Sequence, residues 1–235
     1  MNKKFRVRRS PYNRQKAQRM HQVLKRLNQE DIAKVYNVKY VAGIDEVGNG
    51  AACGPITASV CVLPVHEVLP IKDSKKYSTE ALREVDEAKV FKASKFAMTL
   101  DASARVINQH GHVKAWEAIV NSLLKAVATR FSPEEVLIVI DGSLLPKVRP
   151  KELMHYRIRA VPQADSRINA VAAASILAKC SRDRYMTKLS ESDMYEPYNL
   201  AKCKGYLTPE HINAVHQHGL SYQHRTNVTY PLPKG

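Results

Sequence analysis

The chain has 235 residues, enough for one large domain with an extension and long enough to bury a core without disulfide or metal staples. Lys and Arg number 37 against 22 Asp and Glu, a net charge of +15, which favours a polyanionic partner, nucleic acid first. At 44% hydrophobic residues disorder is excluded, no apolar run is long enough to span a membrane, and the basic N-terminus lacks the apolar core of a signal peptide. The four cysteines, Cys53, Cys61, Cys180 and Cys203, form no CxxC pair and are expected to be reduced and buried in a cytoplasmic protein.

Residues 1–40 carry twelve Lys or Arg against Glu30 and Asp31. Met20, Val23, Leu24 and Leu27 fall at i, i+3, i+4 and i+7, predicting a helix over about 14–35 with an apolar stripe and a basic remainder. Such a helix either docks on the body or adds phosphate contacts. The missing aromatics in its stripe argue against a membrane-surface helix. Residues 1–36 are therefore set apart as a basic extension, and 37–235 as the main domain.

The body alternates. Strands are expected at Tyr40–Ile44, Ile56–Leu63, Lys95–Leu100, Val136–Ile140 and Arg157–Val161. Helices are expected at Ser78–Phe91 with Ser78 as N-cap, at about 112–129 from the stripe Val113 to Val127, and over the Ala-rich 170–188. A short helix opens at Thr208-Pro209-Glu210. This order predicts an α/β fold with a mixed central sheet flanked by helices and a helical C-terminal segment.

Chemistry concentrates where acids follow apolar strands. Asp45 and Glu46 end the run Val41 to Ile44 and precede Gly48-Asn49-Gly50. Both can serve one site only if the strand ends or bends there, because neighbouring strand residues point to opposite faces. Asp141 ends the run Val136 to Ile140, and Asp165 precedes the Ala-rich helix. One such Asp is ordinarily a cap or a turn former. Several in one basic chain point to a shared oxygen cluster for hard divalent cations, and two such ions can clamp both reacting oxygens of a phosphodiester.

Ala-Gly-Ile-Asp-Glu-Val-Gly-Asn-Gly at 42–50, Asp-Ser-Lys-Lys at 73–76, Ile-Asp-Gly at 140–142 and Ala-Val-Ala-Ala-Ala-Ser-Ile-Leu-Ala-Lys at 170–179 resemble the type 2 ribonucleases H of the bacterial HII kind. Lys204-Gly205-Tyr206, His211 and Gly219 through His224-Arg225 resemble that family's C-terminal segment. The resemblance implies a ribonuclease H-like fold and two Mg²⁺ or Mn²⁺ ions held by Asp45, Glu46, Asp141 and Asp165. It implies cleavage of the RNA strand of RNA–DNA hybrids and on the 5′ side of ribonucleotides embedded in duplex DNA. The products would be a 3′-hydroxyl and a 5′-phosphate, and the protein a monomer. A catalytically weakened hybrid-binding protein of the same fold is the alternative. By the same resemblance the backbone of Gly48, Asn49 and Gly50 reads the ribose 2′-hydroxyl, and Tyr206 stacks on the neighbouring sugar.

The family's turn is usually Gly-Arg-Gly, so Asn49 removes a cationic grip on phosphate. Ser74, Lys75, Lys179 and Arg182 are expected to contact the nucleic acid, the last two from one face of a helix. His211, His216, His218 and His224 lack the spacing of a zinc site and are expected on helix surfaces near phosphate.

Overall fold

Five strands, β1 (Tyr40–Val47), β2 (Ile56–Pro64), β3 (Phe96–Ala102), β4 (Val136–Asp141) and β5 (Arg157–Val161), form one mixed sheet in the order β3-β2-β1-β4-β5. The first three make an antiparallel meander, while β4 pairs parallel with both β1 and β5. The computed structural model describes residues 28–71, 77, 79–147 and 150–231. Around the sheet stand α1 (Gln29–Tyr36), α2 (Glu80–Ala93), α3 (Ala104–His110), α4 (His112–Ala128), α5 (Asn169–Leu189), α6 (Leu200–Cys203) and α7 (Pro209–His218).

Alternation along the strands divides the core in two. Val41, Cys61, Leu63, Leu137, Val139 and Val161 face α5, which contributes Ala170, Val171, Ala174 and Leu177. Ala42, Ile44, Ile56, Val60, Ile138 and Ile140 face α4, through Val120, Leu123, Leu124 and Val127. The alanines of α5 have a geometric cause. A Cβ on Gly43 would lie 2.2 Å from the Ala170 carbonyl carbon and the Val171 nitrogen, so strand and helix backbones are in direct contact. Larger side chains at the start of α5 would hold the helix off the sheet.

Of the helix expected over about 14–35, the described residues contain only α1, which starts at Gln29 after the non-helical Asn28 and packs into the body. Ile32 is fully buried in the α5-side core and Tyr36 joins it. Gln29 is buried as well. Its Nε2 donates to the Pro64 and Glu67 carbonyls, each at 3.3 Å, and its Oε1 accepts from the Ala170 amide at 2.9 Å. That last bond satisfies one of the unpaired amides at the start of α5. The rest of the basic extension, 1–27, lies outside the described residues.

A third cluster joins Met186 of α5 with Tyr198, Leu200, Cys203, Ala214 and Val215 of the C-terminal segment around Cys53. It seats that segment against the β1–β2 connection. The N-cap of α2 is Thr79 rather than Ser78: its Oγ1 accepts from the Leu82 amide at 3.3 Å. Helices α3 and α6 were not expected, being too short to show an apolar period. All four cysteines are free and buried, and no helix among the described residues is long and apolar enough to cross a membrane.

Candidate active site

β1 does not stop at Ile44. It runs on through both acids, with Asp45 opposite Ser59 and Glu46 opposite Ala58 on β2. Strand alternation therefore persists, and the two carboxylates turn to different neighbours. Asp45 hydrogen-bonds to Ser175 of α5, and Glu46 accepts from the side chain of Asn49. Of the two expected arrangements, an end or a bend, the strand takes the first: it ends at Val47, so both acids sit at its carboxyl end.

The parallel register pairs Ile44 with Ile140, so Asp141, the last residue of β4, comes alongside Asp45. Carboxyl ends of adjacent parallel strands are where open α/β sheets place their ligand sites. Asp45 is only 7% exposed. Burial pushes its carboxyl up from 3.8 to about 8, with repulsion from Asp141 and Glu46 adding to the shift. The Ser175 hydroxyl and the Glu46 amide, 2.8 Å from Asp45 Oδ1, offset part of it. A buried carboxylate beside two others is the charge arrangement that a bound cation relieves.

Asp141 is held by the Ala164 amide, which donates to its Oδ1 at 2.7 Å. Asp165 is the next residue, in the single 3-10 turn Ala164–Ser166 between β5 and α5. It borders a hollow with Arg167, Asn169 and Ala172. Asp45, Glu46 and Asp141 are thus brought together, and Asp165 stands one residue from the amide that anchors Asp141. Among the described residues no three Asp, Glu, His or Cys side chains close around one point as a finished ligand set. The donors are nonetheless all carboxylate oxygen, the chemistry that hard divalent ions select, and the strain on Asp45 fits a cation there.

The glycine turn beside the acids is built around buried arginines. Gly48 has φ +89°, and a Cβ there would lie 2.4 Å from Arg182 Nε and 2.7 Å from the Pro55 carbonyl oxygen. Glycine is required on both counts. Gly50 has open space where a Cβ would be, and it is exposed. Asn49 is exposed too, but its side chain is engaged: Nδ2 donates to Glu46 Oε1 at 2.7 Å, and Oδ1 lies 3.0 Å from His112 Nε2.

Arg182 corrects an expectation. It is fully buried and does not face a phosphate backbone. Its Nε donates to the Pro55 carbonyl at 3.0 Å, Nη2 to Cys53 at 3.1 Å and Nη1 to Lys204 at 2.8 Å. Arg225, 1% exposed, works beside it, donating to the carbonyls of Gly54 at 3.0 Å and Asn49 at 3.2 Å. Burial, and then the neighbouring Arg182, bring Arg225 down to about 10. Two guanidiniums thus tie the turn to the C-terminal segment through backbone oxygens.

Lys179, one turn before Arg182, has a different set of partners. Its Nζ is paired with Asp183 at 2.7 Å, while Arg83 takes the other Asp183 oxygen at 2.8 Å. Tyr206 is half-buried next to the turn, its ring centroid 5.4 Å from the Arg182 guanidinium carbon. The preceding Gly205 accepts at its carbonyl from the amides of Ala52, at 2.9 Å, and Cys53, at 3.1 Å. Ser74 and Lys75 lie outside the described residues.

The histidines divide, and two are not on the surface. His211 and His224 are buried, with Nε2 atoms 3.0 Å apart. His211 Nδ1 lies 2.9 Å from the Tyr206 carbonyl, and the Ser221 amide donates to His224 Nδ1 at 2.9 Å. Burial, followed by His211, lowers His224 to about 4. A neutral chain running Ser221–His224–His211–Tyr206 satisfies all these groups and braces the Tyr206 loop.

Sequence reasoning missed Ser175, His112 and Arg225. Ser175 carried a faint signal as the one hydroxyl in a run of alanines. Arg225 stood out only as part of the family-like segment Gly219 through Arg225, with no role attached, and His112 showed no signal, because it reaches the site from a distant stretch of chain.

A family model described as Ribonuclease HII matches residues 42–230. A ribonuclease HII of Geobacillus thermodenitrificans is 32% identical over 188 residues, spanning 80% of this chain and 68% of its own. Among solved structures, the ribonuclease H2 of Pyrococcus horikoshii OT3 superposes with a TM-score of 0.60 at 24% identity, covering 79% of this chain and 92% of that one. Bst-RNase HIII in complex with Mn²⁺ gives a TM-score of 0.58 at 21% identity, covering 77% of this chain and 63% of that one. At these identities the two structures attest the fold.

Proposed function

Because the chain belongs to the ribonuclease HII family, whose members are divalent-metal-dependent ribonuclease H endonucleases, we propose that Asp45, Glu46, Asp141 and Asp165 hold two Mg²⁺ or Mn²⁺ ions. The substrate is an RNA–DNA hybrid or duplex DNA with an embedded ribonucleotide, cut on the 5′ side of the ribonucleotide to leave a 3′-hydroxyl and a 5′-phosphate. The observation that carries this reading is the Asp45 carboxyl, buried at a strand end beside Asp141 and Glu46 and pushed up to about 8.

When bound, the ions supply Lewis acidity and charge neutralisation at the scissile phosphate. The chain's own part is positioning. Ser175 and the Glu46 amide orient Asp45, the Ala164 amide orients Asp141, and Asn49 orients Glu46. The backbone of Gly48, Asn49 and Gly50 meets the ribose 2′-hydroxyl, the open space at Gly50 leaving room for a sugar to approach. Tyr206 stacks on the adjacent deoxyribose; its fixed place beside the turn supports this. Lys75, Ser74 and Lys179 meet phosphates. Lys179 keeps that capacity because Asp183 is shared with Arg83, two cations on one carboxylate. We further propose that the protein acts as a monomer. Four buried free thiols support a reducing, cytoplasmic compartment.

The direct test is cleavage of three duplexes, all DNA, DNA with one ribonucleotide and an RNA–DNA hybrid, each with Mg²⁺ or Mn²⁺. Cutting of the last two, and none of the first, is expected. Tight binding to the hybrid without cutting, in either metal, would establish the catalytically weakened alternative.

The extension makes a separate prediction. Deleting residues 1–27 removes Lys3, Lys4, Arg6, Arg8, Arg9, Arg14, Lys16, Arg19, Lys25 and Arg26 and no acid, yet leaves Gln29, Ile32 and Tyr36 in place. If this segment contacts DNA, log Kd depends less steeply on log salt, by about 0.9 per lost phosphate contact, and the melting temperature holds. An unchanged salt slope in a filter-binding series would remove the segment from the interface.

A further inference from the structure

Glu46, Asn49 and His112 form a hydrogen-bonded row whose direction is fixed by chemistry. An ionised carboxylate only accepts, so the Asn49 group 2.7 Å from Glu46 Oε1 is the amide NH₂. That turns the amide oxygen toward His112, 3.0 Å away. The amide oxygen also only accepts, so His112 carries its proton on Nε2. The row therefore runs from His112 to Asn49 to Glu46, donor to acceptor at each step.

The row is anchored at one end and in its middle. His112 is the first residue of α4, a 17-residue helix whose Ile119, Val120, Leu123 and Leu124 are buried against the sheet. The Asn49 carbonyl accepts from Arg225 Nη1 at 3.2 Å, which holds its backbone from the other side. Glu46, Asn49, His112 and Asp141 border one concavity, so the row lies within the site and not behind it. Burial, and then Arg225, hold His112 below its usual range, so the row carries no cation of its own at neutral pH.

We propose that His112 is a positioning residue for the metal centre, holding the Asn49 amide, which in turn orients the Glu46 carboxylate. This rests on the reading that Glu46 is a metal ligand. It gives Asn49 a use that the absence of arginine alone does not suggest. A neutral amide backed by a neutral imidazole orients the carboxylate and leaves the charge for the ion. Groups that orient metal ligands without touching the ion are worth about 10–100-fold in metal affinity.

The test is a Mn²⁺ titration of the intact protein, following free Mn²⁺ by electron paramagnetic resonance, beside steady-state cleavage of a single-ribonucleotide duplex. His112→Ala and Asn49→Ala should each weaken Mn²⁺ binding by about 10–100-fold. The double variant should be no worse than either single one, since both break the same row. His112→Gln, whose amide can donate to Asn49, should recover most of the affinity. In His112→Ala, kcat should fall at limiting Mn²⁺ and recover with excess metal, with KM for the duplex unchanged. Glu46→Gln separates the two levels. If it leaves Mn²⁺ affinity unchanged, Glu46 is no ligand and the underlying reading falls. If Glu46→Gln weakens binding but His112→Ala does not, or if the His112 and Asn49 losses simply add, the positioning role is wrong.

Discussion

Replacing Asp45 or Asp141 with Asn should lower cleavage by orders of magnitude while duplex binding persists or tightens. Asn keeps the shape of the side chain and removes a charged ligand, so the loss falls on metal chemistry. The tighter binding follows from charge: Asp141→Asn takes a negative group away from the phosphates, whereas Asp45, protonated in the metal-free protein below about pH 8, gives that gain only above it. Asp45 adds a dependence on pH. Its carboxyl is raised from 3.8 to about 8, so the folded metal-free protein holds a proton that the unfolded chain has lost. The metal-free protein should therefore lose stability as pH rises from about 4 to about 8 and level off above. Asp45→Asn has nothing to titrate and should flatten that fall. A cation competes with the same proton, so Mn²⁺ affinity should rise with pH below 8, by up to about tenfold per unit for one proton released. Melting curves without metal and Mn²⁺ titrations at pH 6, 7 and 8 measure both slopes. Full turnover of wild-type protein in excess EDTA would overturn the mechanism outright.

The strand-end acids Asp45, Glu46 and Asp141 were legible as a candidate cluster because their signal is local. A carboxylate directly after four apolar strand residues sits where desolvation penalises it, and Asp45 and Asp141 carry that mark within six residues of chain. The strands and the long helices were legible for the same reason, each showing its period within its own length. What escaped were the relations between distant segments. Lys179 and Arg182 are one helical turn apart, which suggested a common face toward phosphate. Nothing in residues 179–182 reveals that the carbonyls of Pro55 and Cys53, more than a hundred positions away, converge on Arg182. His211 and His224 were read as surface groups because each histidine alone is polar; only the fold brings their rings together in a dry interior. Asn49 was read for the charge it lacks, whereas the structure shows the two hydrogen bonds it makes.

Arg182 gives the sharpest contrast between the two ways of reading the chain. A phosphate contact can be removed with little effect on folding, and the loss appears as weaker binding with a shallower salt dependence. A buried guanidinium that satisfies three carbonyls behaves differently. Arg182→Met fills similar volume but leaves the oxygens of Cys53, Pro55 and Lys204 without their donors. Each buried unpaired acceptor costs about 1–3 kcal/mol. Relief of the repulsion between Arg182 and Arg225 offsets part of that, so a net loss of about 3–5 kcal/mol is expected. For a chain of this size the melting temperature should drop by roughly 10 °C before any nucleic acid is added. Arg182→Lys can reach some of the same carbonyls and should fall between the two. Ribonucleotide selectivity should suffer with stability, because the oxygens released belong to the connection that follows Gly48 and to the Lys204 turn that carries Tyr206. Thermal melts of the free protein, paired with duplex affinity at two salt concentrations, separate the cases. An unchanged melting temperature with weaker, less salt-dependent binding would return Arg182 to the phosphate backbone.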